Sequence, residues 1–193
     1  GSGKSTVARA IARRGARVLD ADQIVRALYE GGELPERLAA EFGAAVRHPD
    51  GSVDRKALGA IVFSDPEARR KLEAMVHPAV RAFVLSHLDE WRAEGFDGIV
   101  VLDAALLVES DFAYPLDALL VVTAPREVRL ERLEGRGVPR EEAVRRMDAQ
   151  AGDDEKRSRA DAVLDNGGDL EDLEREVTRV LRELGRDDGS GSG

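Results

Sequence analysis

Cysteine is absent from the 193-residue sequence, and aromatic residues make up only 4% of it. Without thiols, these residues form neither disulfides nor thiolate metal sites, which is compatible with a reducing cytoplasm. Long apolar runs are missing too: none approaches the roughly eighteen residues of a membrane span, and no signal-peptide pattern opens the chain. We therefore expect a cytoplasmic protein without a membrane partner.

Basic residues are also fewer than acidic ones. The sequence has 38 acidic residues against 29 basic ones, which gives a net charge of −9. A general nucleic-acid binder needs a basic face for the phosphate backbone, so we expect no nucleic-acid partner. Residues 126–159 differ, because their ten Lys and Arg residues nearly balance nine Asp and Glu residues. This balance fits a solvated helix pair as well as it fits a phosphate-binding surface.

Short apolar runs alternate with helical patterns along the chain. Apolar runs typical of buried strands occupy residues 16–19, 99–102, 119–122 and 162–164. Helical periodicity covers residues 4–14, most of 23–95, a charged pair within 126–159, and 170–184. Pro66 and Pro78 are predicted to open two of these helices, each after a candidate capping residue, Asp65 or His77. The alternation predicts a parallel doubly wound sheet in one compact α/β domain.

The chain opens on a glycine-rich motif, Gly1-Ser2-Gly3-Lys4-Ser5-Thr6. It matches the last five positions of the phosphate-binding pattern G-x-x-x-x-G-K-[ST] and the Thr that usually follows. Glycines let backbone N–H groups turn toward a phosphate, and the helix that follows adds the positive end of its dipole. In this pattern Lys4 reaches the β- and γ-phosphates of ATP, and the Ser5 hydroxyl ligates Mg²⁺. A glycine-rich structural turn before a helix is the alternative interpretation.

The first three motif positions are absent, as is the strand that normally feeds the loop. That strand is central in such folds, and its four or five buried aliphatic residues would contribute roughly 6–15 kcal/mol. We therefore expect the first, central strand to be missing from this chain. A truncated nucleotide-binding module without turnover stays open as one interpretation.

Acidic residues follow two of the predicted strands. Asp20 and Asp22 end the first apolar run, Asp103 directly follows residues 99–102, and Glu109 lies a little beyond. Ligands of open α/β sheets bind at the carboxyl ends of the strands. There a carboxylate can accept the proton of an attacking hydroxyl or hold Mg²⁺ through water. Capping of the following helix is the alternative, above all for Asp22.

Seven segments, in order along residues 1–185, resemble the dephospho-coenzyme A kinase family. They are Gly-Ser-Gly-Lys-Ser-Thr (1–6), Val-Leu-Asp-Ala-Asp (18–22), Asp-Gly-Ser-Val-Asp-Arg (50–55), Val-Phe-Ser-Asp-Pro (62–66), Val-His-Pro (76–78), Leu-Leu-Val-Glu-Ser (106–110) and Leu-Asp-Asn-Gly (164–167). The resemblance implies transfer of the γ-phosphoryl group of ATP onto the ribose 3′-hydroxyl of dephospho-coenzyme A, giving coenzyme A and ADP. Another small-molecule P-loop kinase, acting on a nucleoside, nucleotide or shikimate-like acceptor, is the rival enzyme. Residues 50–78 favour the coenzyme A kinases.

The resemblance also assigns roles to individual residues. It implies that Asp22 is the base for the ribose hydroxyl and that its neighbour Asp20, with His77 and Glu109, contacts the acceptor. Its lid arginines, which grip ATP phosphates, fall at Arg132 and Arg136, and Asn166 falls in a turn beside the adenine. The alternatives to these functional roles are purely structural: His77 would be a helix cap or a packed ring, and the two arginines would form surface ion pairs.

These observations lead to one fold prediction: a three-layer P-loop core with a parallel sheet, a helical acceptor-binding insertion and a helical lid. We expect the core to comprise residues 1–29, 96–125 and 160–186, the acceptor (coenzyme A) binding region residues 30–95, the lid residues 126–159, and a flexible tail residues 187–193. We expect Mg²⁺ as cofactor, with Ser5 and, through water, Asp103 as its ligands. ATP and dephospho-coenzyme A are the expected small-molecule partners, and the chain is expected to be a monomer or a weak homo-oligomer.

Overall fold

The computed structural model describes residues 1–104, 116–148 and 152–185. They divide into two compact units: Gly1–Val18 with Gly98–Gly193, called unit 1 here, and Leu19–Asp97, called unit 2. No helix among the described ranges is long and apolar enough to cross a membrane. The subdivision into core, acceptor region and lid stays a prediction.

Unit 1 combines short strands with helices. Its described elements are α1 (Lys4–Ala12), the start of β1 (Arg17–Asp20), β2 (Val100–Asp103), β3 (Leu120–Thr123), α6 (Arg126–Glu134), α7 (Arg140–Asp148), α8 (Asp153–Arg159), β4 (Ala162–Asp165) and α9 (Leu170–Glu183). Its core forms where the apolar faces of α1 and α9 meet β4: Val7, Ile11, Leu164, Val177 and Val180 are all buried there. This packing holds the start of α1 in place, which is where the glycine-rich motif lies.

The strands described form two two-stranded sheets, β1 with β2 and β3 with β4. β3 and β4 run parallel, in a register that pairs Leu120 with Ala162 and Thr123 with Asp165. In the other sheet, the Arg17 N–H donates to the Ile99 carbonyl at 2.9 Å. The mixed α/β class with parallel strands is confirmed. The continuous three-layer sheet stays a prediction.

Unit 2 is helical, as the periodicity of residues 23–95 predicts. Its helices are α2 (Ala21–Glu30), α3 (Leu34–Phe42), a short 3-10 turn (Ala44–Val46), α4 (Arg55–Ser64) and α5 (Pro66–Ala93). Aspartates begin three of the helices by accepting backbone N–H groups, since the Oδ1 atoms of Asp20, Asp54 and Asp65 each accept two, at 2.8–3.2 Å. Each such cap satisfies donors that a helix start otherwise leaves unpaired.

The prediction that Pro78 opens a helix is wrong. α5 continues through it for 28 residues, with Pro78 inside. Proline removes one helical hydrogen bond and usually breaks a helix, but Val76, Val80 and Val84 are buried on one face of α5. Burial of that face outweighs the local proline penalty, so His77 lies within a helix and is not its cap.

The carboxyl-terminal half of α5 carries a ladder of rings. The Phe83 and His87 rings stack with centroids 4.2 Å apart, and His87 meets Trp91 edge-on at 6.0 Å. Phe96 continues the series against Trp91 at 6.4 Å. Phe83 and Trp91 therefore pack within unit 2, as their helical spacing suggests.

Residues 126–159 contain three described helices, α6, α7 and α8, and not the predicted pair. Arg140 ties the first two together, since its guanidinium contacts Glu127 at 2.7 Å and Glu134 at 3.2 Å. The third helix was missed because its seven residues, Asp-Asp-Glu-Lys-Arg-Ser-Arg, contain no apolar side chain from which a helical period could be recognised.

Candidate active site

The glycine-rich motif lies at the amino end of α1. Gly3 has φ 89° and ψ 26°, the left-handed region, and its carbonyl accepts the N–H groups of Thr6 and Val7 at 2.9 and 3.0 Å. No side chain caps this helix start. The first N–H groups of α1 therefore remain available to an anion, and the helix dipole favours a negative ligand there.

Ser5 and Asp103, predicted separately as magnesium ligands, meet in unit 1. The Ser5 hydroxyl donates to Asp103 Oδ2 at 2.8 Å, although 98 positions separate the two residues. Because the hydroxyl is the donor in this hydrogen bond, the lone pairs of its oxygen remain free for a cation. A hydroxyl and a carboxylate are hard oxygen donors of the type Mg²⁺ prefers, and Mg²⁺ usually takes only one or two protein ligands beside phosphates and water.

Cations converge on the first residue of the motif. The cationic side chains of Lys4, Arg136, Arg129 and Arg132 all lie close enough to Gly1 to act electrostatically on its position. Four cationic side chains thus act on one point next to the start of α1. The potential there is positive, as a site for the phosphates of ATP requires.

Arg132 and Arg136 line one cleft together with the motif. The cleft has a volume of about 490 Å³, and its walls are Gly3, Thr6, Arg132, Gly135, Arg136, Asn166, Gly168, Asp169, Leu170 and Leu173. Arg132 Nη1 is buried and has no hydrogen-bond partner within the described ranges. A buried guanidinium N–H without an acceptor is costly, which favours an anionic ligand at this wall. Neither arginine is in an ion pair of the kind considered as the alternative, as far as the structure describes the chain.

Asn166 reaches the motif directly. Its side-chain Nδ2 donates to the Ser2 carbonyl at 2.8 Å, and its backbone N–H donates to the Thr123 carbonyl at 2.7 Å. The side chain is buried, with 6% of the residue exposed. The structure therefore brings all the predicted nucleotide-site residues together in unit 1, with the Asn166 amide against Ser2 and Gly3.

The structure shows which of the two aspartates at the junction of β1 and α2, Asp20 or Asp22, caps the following helix. Asp20, and not Asp22, caps α2, since its Oδ1 accepts the N–H groups of Asp22 and Gln23. Asp20 Oδ2 also accepts from Gln23 Nε2 at 3.1 Å. Asp22 is exposed in the first turn of α2, and its carboxylate accepts no hydrogen bond from the residues that the structure describes. The capping alternative for Asp22 is wrong, and its side chain is free for chemistry.

The structure says less about the other residues predicted to bind the acceptor, His77 and Glu109. His77 is half-buried on α5, in unit 2 with Asp20 and Asp22. Glu109 lies outside the described residues. The acceptor-side assignments therefore stay predictions.

Two residues at the site escaped the sequence analysis. Leu170, 72% exposed, lies on the wall of the cleft; it was included only as the first residue of the helix predicted at 170–184. Thr123, the last residue of β3, is 4% exposed and accepts from Arg157 through Oγ1 at 3.1 Å. A polar residue directly after an apolar run is the signal that identified Asp103, and it would have identified Thr123 as well.

Comparison with known proteins shows to which family the chain belongs. A family model described as Dephospho-CoA kinase matches residues 1–172. The chain belongs to the dephospho-CoA kinase family. Curated dephospho-CoA kinases are similar over nearly the whole chain. One from Frankia casuarinae is 48% identical over 186 residues, 95% of this chain and 80% of the relative. One from Geobacter sulfurreducens is 42% identical over 181 residues, 93% of this chain and 91% of the relative.

Solved structures are similar as well. A crystal structure of a Thermus thermophilus protein superposes with a TM-score of 0.80 at 42% identity, covering 95% of this chain and 92% of that one. A structure of the dephospho-CoA kinase from Campylobacter jejuni gives a TM-score of 0.67 at 26% identity, covering 94% and 91%. Membership of the dephospho-CoA kinase family confirms the prediction of an ATP-dependent kinase.

Proposed function

We propose that this chain transfers the γ-phosphoryl group of ATP to the ribose 3′-hydroxyl of dephospho-CoA, with Lys4, Ser5 and Asp22 in the central roles. The ribose oxygen forms a bond to the γ-phosphorus as the bond between that phosphorus and the β,γ-bridging oxygen breaks. The hydroxyl proton passes to a carboxylate, and the products are coenzyme A and ADP.

The observation that carries the proposal is the hydrogen bond of 2.8 Å between Ser5 and Asp103. It joins a hydroxyl of the glycine-rich motif to the acid that follows an apolar strand, the pair that holds Mg²⁺ in P-loop enzymes. A glycine-rich structural turn has no need of such a partner. Both donors fit Mg²⁺, and the bound ion would neutralise charge on the β- and γ-phosphate oxygens.

The phosphates of ATP are proposed to bind at the amino end of α1. Backbone N–H groups of Gly1–Thr6 and the Lys4 ammonium would contact the β- and γ-phosphates, and Arg132 and Arg136 would contact them from α6 and the turn after it. The unpartnered Nη1 of Arg132 supports this arrangement. Positioning and charge stabilisation supply most of the rate in phosphoryl transfer, because little covalent chemistry is left to the protein.

Asp22 is the residue proposed to act on the acceptor hydroxyl. Its free, exposed carboxylate supports the role of a base that orients the hydroxyl and takes its proton. Asp20, His77 and Glu109 are proposed to contact the acceptor. Asp20 would do so while it caps α2, with the lone pairs that its capping bonds leave unused.

We propose the three-layer P-loop arrangement as the finer description of the fold. The buried α1–α9–β4 core and the parallel β3–β4 pair support it. Residues 30–95 would be the acceptor-binding region and residues 126–159 the lid.

A coupled assay of ADP release tests the proposed function. Dephospho-CoA, adenosine and shikimate are offered side by side with Mg²⁺ and ATP, and we expect turnover with dephospho-CoA alone. The product is checked as coenzyme A by mass. Comparable turnover with adenosine or shikimate would overturn the acceptor assignment, and ADP release without any acceptor would indicate an ATPase.

A further inference from the structure

Two polar residues are buried in the described part of unit 1, Thr123 and Asn166, and they contact each other. A buried amide is costly unless its donors are paired. Asn166 uses its side-chain donor on the Ser2 carbonyl, 2.8 Å away, in a residue 164 positions earlier. This hydrogen bond ties the turn after β4 to the glycine-rich motif.

The same amide packs on Gly3. A Cβ atom at position 3 would lie 2.1 Å from Asn166 Nδ2, far inside contact distance. Gly3 has a left-handed backbone, φ 89°, which side chains other than glycine rarely adopt. Asn166 therefore contacts the two residues whose backbone conformation sets the direction of the first N–H groups of α1.

Asn166 has little surface left for a ligand. Only 6% of the residue is exposed, so its amide is poorly placed to read the edge of a nucleotide base. Leu170, 72% exposed on the same cleft, offers far more surface to an apolar ring.

We propose that Asn166 is a positioning residue for the phosphate-binding loop and does not recognise the base. It holds the Ser2 carbonyl on one side and fits against Gly3 on the other, so that the N–H groups at the start of α1 face the phosphates. The inference rests on the proposed function only in taking a nucleoside triphosphate as the ligand. A loop displaced by about 1 Å costs much of the benefit of positioning.

Two variants of Asn166 test this role. Asn166→Ala removes the donor and most of the side chain, and Asn166→Leu removes the donor while keeping a branched side chain with the same number of heavy atoms. Calorimetry gives the dissociation constants of MgATP and of inorganic tripolyphosphate, which has no base. Kinetics give the ratio of kcat/KM for ATP to that for GTP. Glu171→Ala, an exposed change in the first turn of α9, is the matched control.

If Asn166 is a positioning residue, both variants raise the dissociation constants of MgATP and tripolyphosphate by the same factor, about tenfold. The ratio of kcat/KM for ATP to that for GTP stays unchanged. Backbone hydrogen exchange over residues 3–6 becomes faster, and the control changes none of these quantities. A base-reading residue would instead change the ATP-to-GTP ratio and leave tripolyphosphate binding intact, which would overturn the inference. Unchanged binding of both ligands would overturn it equally.

A double-mutant cycle with Gly3→Ala gives an independent readout. In the presence of Asn166, the new methyl group meets the amide, so tripolyphosphate binding falls sharply. In the Asn166→Ala background, backbone strain remains but the collision is gone, so Gly3→Ala lowers tripolyphosphate affinity by a smaller factor. Additive losses would mean that the two residues do not act together. Because every readout here except the ATP-to-GTP ratio is a binding or exchange measurement, a failure of the proposed acceptor chemistry is recognised separately, in the ADP-release assay.

Discussion

At the scale of single residues, neighbouring acids of the same type have different environments. Asp20 is engaged by two backbone N–H groups and by Gln23, whereas Asp22, two positions later, is exposed and accepts nothing from the described residues. The sequence predicts that acids follow the strand but not which of them caps the helix. That depends on where α2 begins, and a shift of two positions changes the answer.

Changing Asp22 to Asn should lower turnover at least about a hundredfold while MgATP affinity stays nearly unchanged, because a general base contributes roughly 10²–10⁴ to the rate. The amide keeps the size of the side chain but cannot take the proton. Steady-state kinetics and calorimetry measure the two effects. Glu30→Gln, an exposed change at the other end of α2, should alter neither. Turnover equal to the wild type would assign the base elsewhere.

Asp103→Asn should raise the Mg²⁺ concentration that gives half-maximal activity by about tenfold, since a charge-assisted contact is replaced by a neutral one. Titration of activity with Mg²⁺ at saturating ATP measures the shift. Asp97→Asn, at an exposed position of unit 2, is the control and should leave the titration curve unchanged. An unaltered Mg²⁺ dependence in Asp103→Asn would remove Asp103 from the metal site.

Among helices and strands, the elements with a clear apolar pattern in the sequence were predicted best. The apolar runs at 99–102 and 119–122 correspond to β2 and β3, each displaced by one residue, and the last amphipathic helix was predicted within one residue of α9. Local pattern fails where packing or polarity decides the outcome. Pro78 lies inside α5 because burial of valines overrides the proline penalty, and α8 has no apolar pattern to find.

The cap of α5 gives a prediction at this scale. Asp65 accepts the N–H groups of Glu67 and Ala68 at 2.8 and 3.2 Å. Asp65→Ala should lower the free energy of unfolding by about 1 kcal/mol, the usual cost of losing a side-chain cap. Asp65→Asn, which can still accept these bonds, should retain most of the stability. Denaturant unfolding followed by circular dichroism compares the two variants, and equal losses would mean that the capping hydrogen bonds are not the source of the stabilisation.

At the scale of the whole molecule, the ordered set of seven motifs predicted the family correctly, and the family model spans residues 1–172. Composition contributed less, since it excluded classes of protein without choosing a reaction. The contact of Asn166 with Ser2 could not be predicted at all. It joins residues 164 positions apart, and no local pattern indicates that a buried amide will meet a particular carbonyl.

Acid should destabilise the chain through carboxylates in both units. The pKa is lowered for Asp50 by the Ser52 hydroxyl, for Asp54 by the Ala57 N–H, for Glu174 by Arg13 and for Glu176 by Arg179. A lowered folded-state pKa means that the stabilisation is complete above the ordinary values of 3.8 and 4.5. It is then lost as the pH falls through the lower folded-state values.

Denaturant midpoints should therefore stay level from about pH 7 to pH 5 and fall below about pH 4. Added salt should weaken the dependence that arises from Glu174 and Glu176, whose partners are arginines at the surface. The Glu174→Gln variant should show a shallower decline, because it lacks one of the four carboxylates. A midpoint that rises on acidification would contradict the assignment.

The ring ladder on α5 gives the chain a built-in optical probe. Trp91 is its single tryptophan, and it lies in unit 2, edge-on to the His87 imidazole at 6.0 Å. Emission excited near 295 nm therefore comes from the helical unit and from no other part of the chain. If dephospho-CoA quenches that emission and ATP leaves it unchanged, the binding of each substrate can be followed separately by fluorescence, without an attached dye.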